Sequence, residues 1–280
     1  MRTDHDMTKG SITRHIIAYA IPMILGNILQ LTYNAVDSMI ISKYIGENAL
    51  AAVSTSNPIM TIMILGASGV GMGASIIISR LYGANEKEKI KREFSTTAIF
   101  GLFFSLAIFI IGFIFSSFIL KLINTPVEAF GEALTYLRIM FVGFLFTFQY
   151  NIMSNCLRGI GDSRSPVIFL GISCVINVCL DMLFVAYLGM GVSGAGLATV
   201  IAEAISVVLS MIYIYYKVPL LKLSRKDYIV DKDLLKKTVS FGFLTALQQA
   251  AQPIGKLFIQ GAINAQGTVA IGAFNAVCRV

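Results

Sequence analysis

Acidic and amide side chains interrupt segments of this sequence that are otherwise apolar enough to cross a membrane. Within residues 27–42, Asn27, Gln30, Asn34 and Asp37 follow one another at steps of three or four residues. This spacing places them on one face of a helix. An ionised aspartate in hydrocarbon costs about 2.5–3.5 kcal/mol on insertion scales. We therefore predict that Asp37 faces a bundle interior or a watery cavity, where it binds a cation or a proton.

A second polar stripe lies further along the chain. Ser173, Asn177 and Asp181 are four residues apart, and Thr199 lies near the outer start of the next apolar segment. Counting from the predicted helix ends puts Asp37, Asp181 and Thr199 at comparable depths in the outer half of the membrane. Carboxylate, amide and hydroxyl oxygens are hard ligands that suit Na⁺. Two neighbouring carboxyl groups can instead share one proton. The sequence leaves both coupling ions open.

Two more predicted helices carry polar stripes. Thr147, Asn151 and Asn155 lie four residues apart on the fourth, and Glu203 follows Thr199 on the sixth. For hydroxyl and amide groups, hydrogen bonding between helices is the simpler explanation. Hydrogen bonding between helices does not need a charged residue, so a functional role is favoured for the acidic Glu203. The sequence does not assign that role.

The composition indicates an all-α polytopic membrane protein. Hydrophobic residues make up 56% of the 280 residues, charged residues 13%, and the mean hydropathy is +0.77. Apolar segments long enough for a spanning helix recur along the chain. The predicted helices lie near 15–44, 54–82, 94–122, 132–157, 165–188, 194–217 and 235–263, and an eighth begins near 268.

The positions of lysine and arginine predict the orientation. Most of the 22 basic residues lie in four segments. These are the segment before the first helix, the connection between helices two and three, the connection between helices four and five, and the segment after helix six. These segments share one side of the membrane, and positive charge favours the cytoplasmic side. We expect a multi-pass protein of the cytoplasmic membrane with a cytoplasmic N-terminus and lipid contacts. The spread of the +7 net charge over these loops argues against nucleic acid as a partner.

A long polar connection from Lys217 to Lys237 indicates a boundary between two lobes. Six helices precede it, and a weak similarity between residues 49–53 and 269–273 suggests a parallel repeat. We predict a six-helix lobe over residues 1–218, a cytoplasmic linker over 219–234 and the start of a second, repeat-related lobe over 235–280. The chain ends inside the predicted eighth helix at Val280, so we expect the second lobe to be truncated.

Two short motifs suggest enzymes, but neither has the required context. Gly189, Gly191 and Gly194 match a dinucleotide fingerprint, yet they follow a membrane helix rather than a strand, so a tight turn is the better interpretation. Gly159-Ile160-Gly161-Asp162 matches the Gly-x-Gly-Asp of intramembrane aspartyl proteases, but it lies in a predicted inner loop. A protease using Asp37 and Asp181 remains an alternative. The four cysteines have no metal-site spacing, and reduced core thiols are expected.

Taken together, several segments resemble the MATE (multidrug and toxic compound extrusion) family over the whole chain. The matching features are Pro22, Gln30 and Asp37 with Gly46 and the Ala49-Leu50-Ala51-Ala52 run, Leu157-Arg158-Gly159-x-Gly161-Asp162-Ser163, Asn177-x-x-x-Asp181, and Gly191-x-x-Gly194-Ala195-x-x-Ala198-Thr199. The resemblance implies one lobe of a two-lobed, twelve-helix transporter and the start of the other lobe.

The resemblance also implies residue roles. The cation- or proton-coupling residues would be Asp37, Asn177, Asp181, Thr199 and Asn155, with Na⁺ possible at the first four and Asn151 an alternative to Asn155. Pro22 would be the hinge of helix one. Candidates for the substrate cleft are Gln30, Asn34, Asn151 and Glu203.

The function implied is antiport rather than enzymatic catalysis. Such a transporter exports cationic or amphipathic organic molecules in exchange for H⁺ or Na⁺ and needs no other cofactor. We expect the missing C-terminal lobe to be required for transport. A lipid-linked oligosaccharide flippase of the same superfamily is the nearest alternative, although few basic residues lie mid-membrane. A fragment that merely associates with a partner lobe is a further alternative.

Overall fold

The computed structural model describes residues 11–123, 125, 127–224 and 226–264. Within these ranges the chain forms seven α-helices. They are α1 (Ile12–Tyr44), α2 (Glu47–Gly83), α3 (Lys87–Leu122), α4 (Val127–Gly159), α5 (Arg164–Asp181), α6 (Gly191–Lys217) and α7 (Lys232–Asn264). A π-helical segment, Met182–Tyr187, continues α5.

The all-α membrane architecture predicted from the sequence is confirmed. Six helices, α1 to α6, are long and apolar enough to cross a membrane. α3 begins at Lys87, earlier than predicted, because its first turns are polar residues that an apolar pattern does not detect. α2 begins at Glu47 and includes residues 49–53, an apolar run that the prediction left outside the helix. α7 is a helix, but its polar residues make it less apolar than α1 to α6. That α7 crosses the membrane therefore stays a prediction. The eighth predicted helix lies outside the described residues.

The helices carry polar residues inside and apolar residues outside. On α5 the buried positions include Ser173, Asn177 and Asp181, whereas Ile168 and Val175 are exposed. This arrangement is expected in lipid, because exposed apolar side chains are solvated by acyl chains and polar groups need partners within the protein. The polar stripes in the sequence therefore mark the buried faces of these helices.

α2 packs closely against α7 through glycines. A Cβ atom placed on Gly73 would lie 2.2 Å from the Thr238 carbonyl oxygen, and one on Gly69 would lie 2.7 Å from the Gly242 carbonyl oxygen. Small residues spaced four apart allow two helix backbones to approach. The small-residue pair Gly69 and Gly73 is therefore part of the surface of α2 that contacts α7. The division of the chain into two lobes stays a prediction.

Turns at both ends of α5 use the glycine motifs identified in the sequence. Gly189 and Gly191 each have φ +62°, and the Met190 N–H donates to the Phe184 carbonyl, which forms the tight turn before α6. At the other end, Asp162 accepts hydrogen bonds from the Ser165 N–H (3.0 Å) and the Tyr213 hydroxyl (2.9 Å). Both motifs thus have structural roles as turns.

Candidate functional site

Two carboxyl groups meet where α1 packs against α5. The side chains of Asp37 and Asp181 lie within hydrogen-bonding distance of each other. Asp181 is fully buried and Asp37 is half-buried. The Oδ1 atom of each is buried and, among the described residues, has no hydrogen-bond partner. Two ionised carboxylates in contact would repel, so this arrangement is suited to holding a proton or a cation between them.

Asn177 connects this pair to α6. With its amide oriented so that both atoms are satisfied, Asn177 Nδ2 donates to Asp181 Oδ2 at 2.8 Å, and its oxygen accepts from the Thr199 N–H at 3.1 Å. Asn177 is 1% exposed. One turn earlier, the Ser173 hydroxyl donates to the Ala202 carbonyl at 2.8 Å. The α5 stripe is thus fixed on α6, and Asn177, Asp181 and Thr199 lie together; their role as a coupling site stays a prediction.

The backbone changes its helical form directly after Asp181. α5 ends as an α-helix at Asp181, and Met182–Tyr187 is π-helical. Single π-turns inside α-helices are frequent at functional sites because they alter the direction of side chains and leave backbone groups less tightly paired. The apolar sequence of this segment gave no indication of the change.

Two tyrosines that the sequence analysis did not single out border the carboxyl pair. The side chain of Tyr33, one helical turn before Asp37, lies near that of Thr199, and both line a polar cavity between the helices. Tyr136 on α4 is buried within electrostatic range of Asp37, Asp181 and Glu203. A four-residue step from Asp37 would have found Tyr33, whereas the position of Tyr136 depends on tertiary packing. Both contribute hydroxyl oxygens to the neighbourhood of the acids.

A polar cavity of about 360 Å³ extends from this cluster between the helices. Its lining includes the predicted residues Gln30, Asn151 and Glu203, together with Asn177 and Thr199. The remaining lining residues include Asn27, Tyr33, Thr147, Tyr150, Arg158 and Gln249. The cavity therefore holds two coupling candidates, Asn177 and Thr199, beside most of the substrate-cleft candidates, whereas Asp37 and Asp181 do not line it.

Glu203 gives this cavity an acidic wall. The Thr147 hydroxyl on α4 donates a 2.5 Å hydrogen bond to Glu203 Oε2. Glu203 is only partly buried and lines the cavity. A carboxylate facing a cavity at membrane depth is suited to a positively charged group. Arg158 at the same cavity makes its charge pattern bipolar.

Two predicted residues lie apart from this cluster. Asn155 is 4% exposed, and its Nδ2 donates to the Asn151 carbonyl on α4 at 2.8 Å. It faces α2, where a Cβ on Gly71 would lie 2.7 Å from Asn155 Nδ2. Asn34 is exposed and does not line the cavity. The equal spacing of the stripes could not distinguish these residues from the cavity-lining ones, since neighbouring helices decide which part of each stripe meets the cavity.

Pro22, the predicted hinge, lies inside α1, which is continuous from Ile12 to Tyr44. Proline in a helix interior removes one backbone hydrogen bond and favours a bend. It precedes the cavity-lining Asn27 and Gln30 by between one and three turns. A change of α1 at Pro22 would therefore move the cavity wall and Asp37 together.

Comparisons with known proteins agree with this architecture. The MatE family model matches residues 22–183. The chain is 32% identical over 282 residues to the probable multidrug resistance protein YoeA of Bacillus subtilis strain 168, covering 98% of this chain and 60% of YoeA. It is 28% identical over 277 residues to the probable multidrug resistance protein YpnP of the same strain, covering 99% and 62%.

A solved structure supports the same assignment. The crystal structure of MATE in the bent conformation superposes with a TM-score of 0.89 at 26% identity, over 96% of this chain and 60% of the other. The chain thus spans about 60% of the length of the relatives it matches. Members of this family are transporters rather than enzymes, which removes the protease alternative. The matched residues include Asp37, Asn177 and Asp181, and the chain belongs to the MatE (MATE) family.

Proposed function

We propose that this chain forms the ion-coupling part of a secondary multidrug antiporter in the cytoplasmic membrane, with its N-terminus in the cytoplasm. The antiporter would export cationic amphipathic molecules in exchange for H⁺ or Na⁺. The observation that carries the proposal is the contact between Asp37 and Asp181, which the Asn177 amide connects to the polar cavity. The names of YoeA and YpnP, probable multidrug resistance proteins, point in the same direction.

The coupling ion would neutralise the carboxyl pair. A proton or Na⁺ entering from outside would lie between Asp37 and Asp181, with the Asn177 amide and the Thr199 hydroxyl as further ligands or hydrogen-bond partners. Without the ion, the two acids repel and α1 and α5 are driven apart at this level. Ion binding therefore favours the arrangement of α1 and α5 in which the two acids are in contact. The equilibrium between the two arrangements shifts by the difference in their affinities for the ion.

The drug would occupy the cavity in the ion-free arrangement. Glu203 supplies a negative charge, Gln30 and Asn151 supply amide groups, and Tyr150 supplies an aromatic surface. When the bound ion brings the two carboxyl groups together, α1 moves about Pro22, and the cavity no longer fits the drug. Because both ligands act on the same helix, their binding is coupled, and the coupling is reciprocal.

Transport would require the other lobe, because the chain spans about 60% of its relatives. The test is therefore ethidium transport by everted vesicles that contain this chain together with the C-terminal part of YoeA. Imposed H⁺ and Na⁺ gradients are compared in separate arms. We expect one gradient to drive ethidium accumulation, and Asp37→Asn to abolish the gradient-driven part.

The control is Thr32→Ala, which changes an exposed residue of the same helix that does not line the cavity and is not a cleft candidate. It should transport at the parent rate. Wild-type transport by Asp37→Asn, or an equal loss in the control, would refute the coupling assignment. Transport by the chain without a second lobe would refute the requirement for that lobe but leave the coupling assignment intact.

A further inference from the structure

An apolar crevice lies between α3, α4 and α6, and it shares no lining residue with the polar cavity. It has a volume of about 540 Å³. Its walls include Ala98 and Leu102 of α3, Met153 of α4 and Met211 of α6. Leu102 and Met211 are about half exposed on the outer surface of the bundle. The crevice therefore opens towards the surrounding hydrocarbon rather than towards the transport pathway.

At one end the crevice becomes polar and positively charged. A recess of about 370 Å³ shares Tyr215, Lys222 and Leu223 with the crevice and adds Lys91, Ser224 and Asp227. Among the described residues that line the recess, Asp227 is the acid, and its Oδ2 accepts a hydrogen bond from the Ser224 N–H at 2.7 Å. Within the described ranges, neither Lys91 nor Lys222 forms an ion pair. The recess therefore presents two ammonium groups that are not in ion pairs, together with one carboxylate, beside an apolar slot.

Aromatic side chains mark the depth of this recess. Tyr215, Tyr216 and Tyr228 line the crevice at its polar end and are all exposed. Tyrosine collects at the level of the lipid head groups, where its ring is in hydrocarbon and its hydroxyl is in water. The Lys222 ammonium lies 3.9 Å from the centre of the Tyr215 ring, and this cation–π contact holds the charge at the mouth of the crevice.

From this arrangement we propose a binding site for one anionic glycerophospholipid, with an acyl chain in the crevice and its phosphate between Lys91 and Lys222. Basic pockets between membrane helices on the cytoplasmic side recognise anionic head groups. The linker between α6 and α7 supplies Lys222, Leu223 and Tyr228, so the lipid would contact α3, α6 and the linker at once. A bound lipid would thereby fix the start of the connection to α7.

The test uses the complete 280-residue chain in detergent, with phosphatidylglycerol and phosphatidylcholine of identical acyl chains added in equal amounts. Native mass spectrometry counts the lipid retained. We expect phosphatidylglycerol to be retained at least about tenfold over phosphatidylcholine. The double variant Lys91→Gln/Lys222→Gln should bring the ratio close to one. The matched control Lys217→Gln/Lys236→Gln removes two exposed lysines outside the crevice and recess and should keep the parent ratio.

A second variant tests the acyl-chain part of the site. Met211→Trp places a bulky side chain in the crevice and should reduce retention of both lipids, while inorganic phosphate should not displace phosphatidylglycerol. Circular dichroism confirms that each variant is folded. Equal retention of both lipids by the parent, an unchanged ratio in Lys91→Gln/Lys222→Gln, an equal loss in the lysine control, or full retention in Met211→Trp would each overturn the proposal.

Discussion

The Asp37 carboxyl group on α1 contacts that of Asp181 at the last α-helical residue of α5. Asp181 Oδ2 accepts a hydrogen bond from the Asn177 amide at 2.8 Å, whereas within the described part of the chain no amide hydrogen-bonds to Asp37. α5 is joined to α6 by the Ser173–Ala202 and Asn177–Thr199 hydrogen bonds, so Asp181 belongs to a rigid unit. Asp37 is the partner that can approach or withdraw as α1 moves. We therefore expect ion binding at this pair to move α1.

The first prediction concerns the dependence of the two acids on each other. If they hold one ion together, Asp37→Asn and Asp181→Asn should each abolish ion binding, and the double variant should lose no more than either single one. Proton uptake and ²²Na⁺ binding by the purified chain measure this directly. Independent contributions from the two single variants would show that the acids act at separate sites. Asn34→Asp, an added acid on the exposed face of α1, should not create binding.

The second prediction concerns Asn177, whose amide fixes Asp181. Asn177→Leu keeps a similar volume but removes the donor to Asp181, so a buried carboxyl group loses a partner. Such a loss costs about 1–3 kcal/mol, and we expect a lower midpoint of thermal unfolding for the purified chain. Asn34→Leu, a change at an exposed position, is the control and should leave the midpoint almost unchanged. An unchanged midpoint for Asn177→Leu would show that the amide does not support Asp181.

Much of this site could be predicted from the sequence because membrane helices bury their polar residues. The four-residue steps of Ser173, Asn177 and Asp181 identified a helix face, and residue counting placed Asp37 at the same depth. The structure places Asp37, Asn177, Asp181 and Thr199 together, while their part in ion coupling stays a prediction. Depth and face are local properties of each helix, and for this reason spacing alone was sufficient.

The features of the site that residue spacing could not predict depend on which helices are neighbours in the fold. Asn151 and Asn155 have the same type and lie on the same stripe, yet Asn151 lines the cavity and Asn155 packs against α2 at Gly71. The π-helical turn after Asp181 and the role of Tyr136 also arise from tertiary packing. Glu93, which lies at the start of an apolar segment among lysines and arginines, gave no sign of its complete burial.

The third prediction tests Glu203 as the charge that receives a cationic drug. Glu203→Gln can still accept the Thr147 hydrogen bond but carries no charge. We expect the affinity of the purified chain for ethidium to fall about tenfold, which corresponds to about 1.4 kcal/mol, while a neutral planar dye binds as before. Fluorescence titration measures both. The control Glu132→Gln removes an exposed acid outside the cavity, and an equal loss there would assign the effect to overall charge.

The fourth prediction tests the close approach of α2 and α7. Gly73→Ala places a methyl group 2.2 Å from the Thr238 carbonyl oxygen, so the two backbones must separate. Overpacking of this kind costs about 1–3 kcal/mol, and the unfolding midpoint should fall. Gly66→Ala is the matched control on the same helix, because nothing lies within 4 Å of its added methyl group. That variant should be neutral or more stable, since alanine favours the helix by about 0.5–1 kcal/mol over glycine.

The last prediction concerns a buried acid that joins α3 to α7. Glu93 is 0% exposed, and its Oε1 accepts hydrogen bonds from the Thr97 hydroxyl at 3.0 Å and the Thr238 hydroxyl at 2.5 Å. Thr97 lies on the same helix as Glu93, whereas Thr238 lies on α7. Thr238→Val keeps the shape of the side chain and removes only the bond between the helices. Thr97→Val removes a bond of the same kind within α3.

We expect Thr238→Val to loosen α7 and the adjoining linker, where the Ile229 and Asp231 N–H groups donate to Ser95 and Thr96 of α3. Hydrogen exchange should therefore accelerate in residues 226–240 and remain unchanged in α5 and α6, because local opening follows the loss of local contacts. Thr97→Val should leave the exchange of α7 at the parent rate. If both threonine variants accelerate exchange in α7 equally, the bond between the helices is not what holds α7, and the accelerated exchange reflects the general cost of leaving Glu93 with one donor fewer.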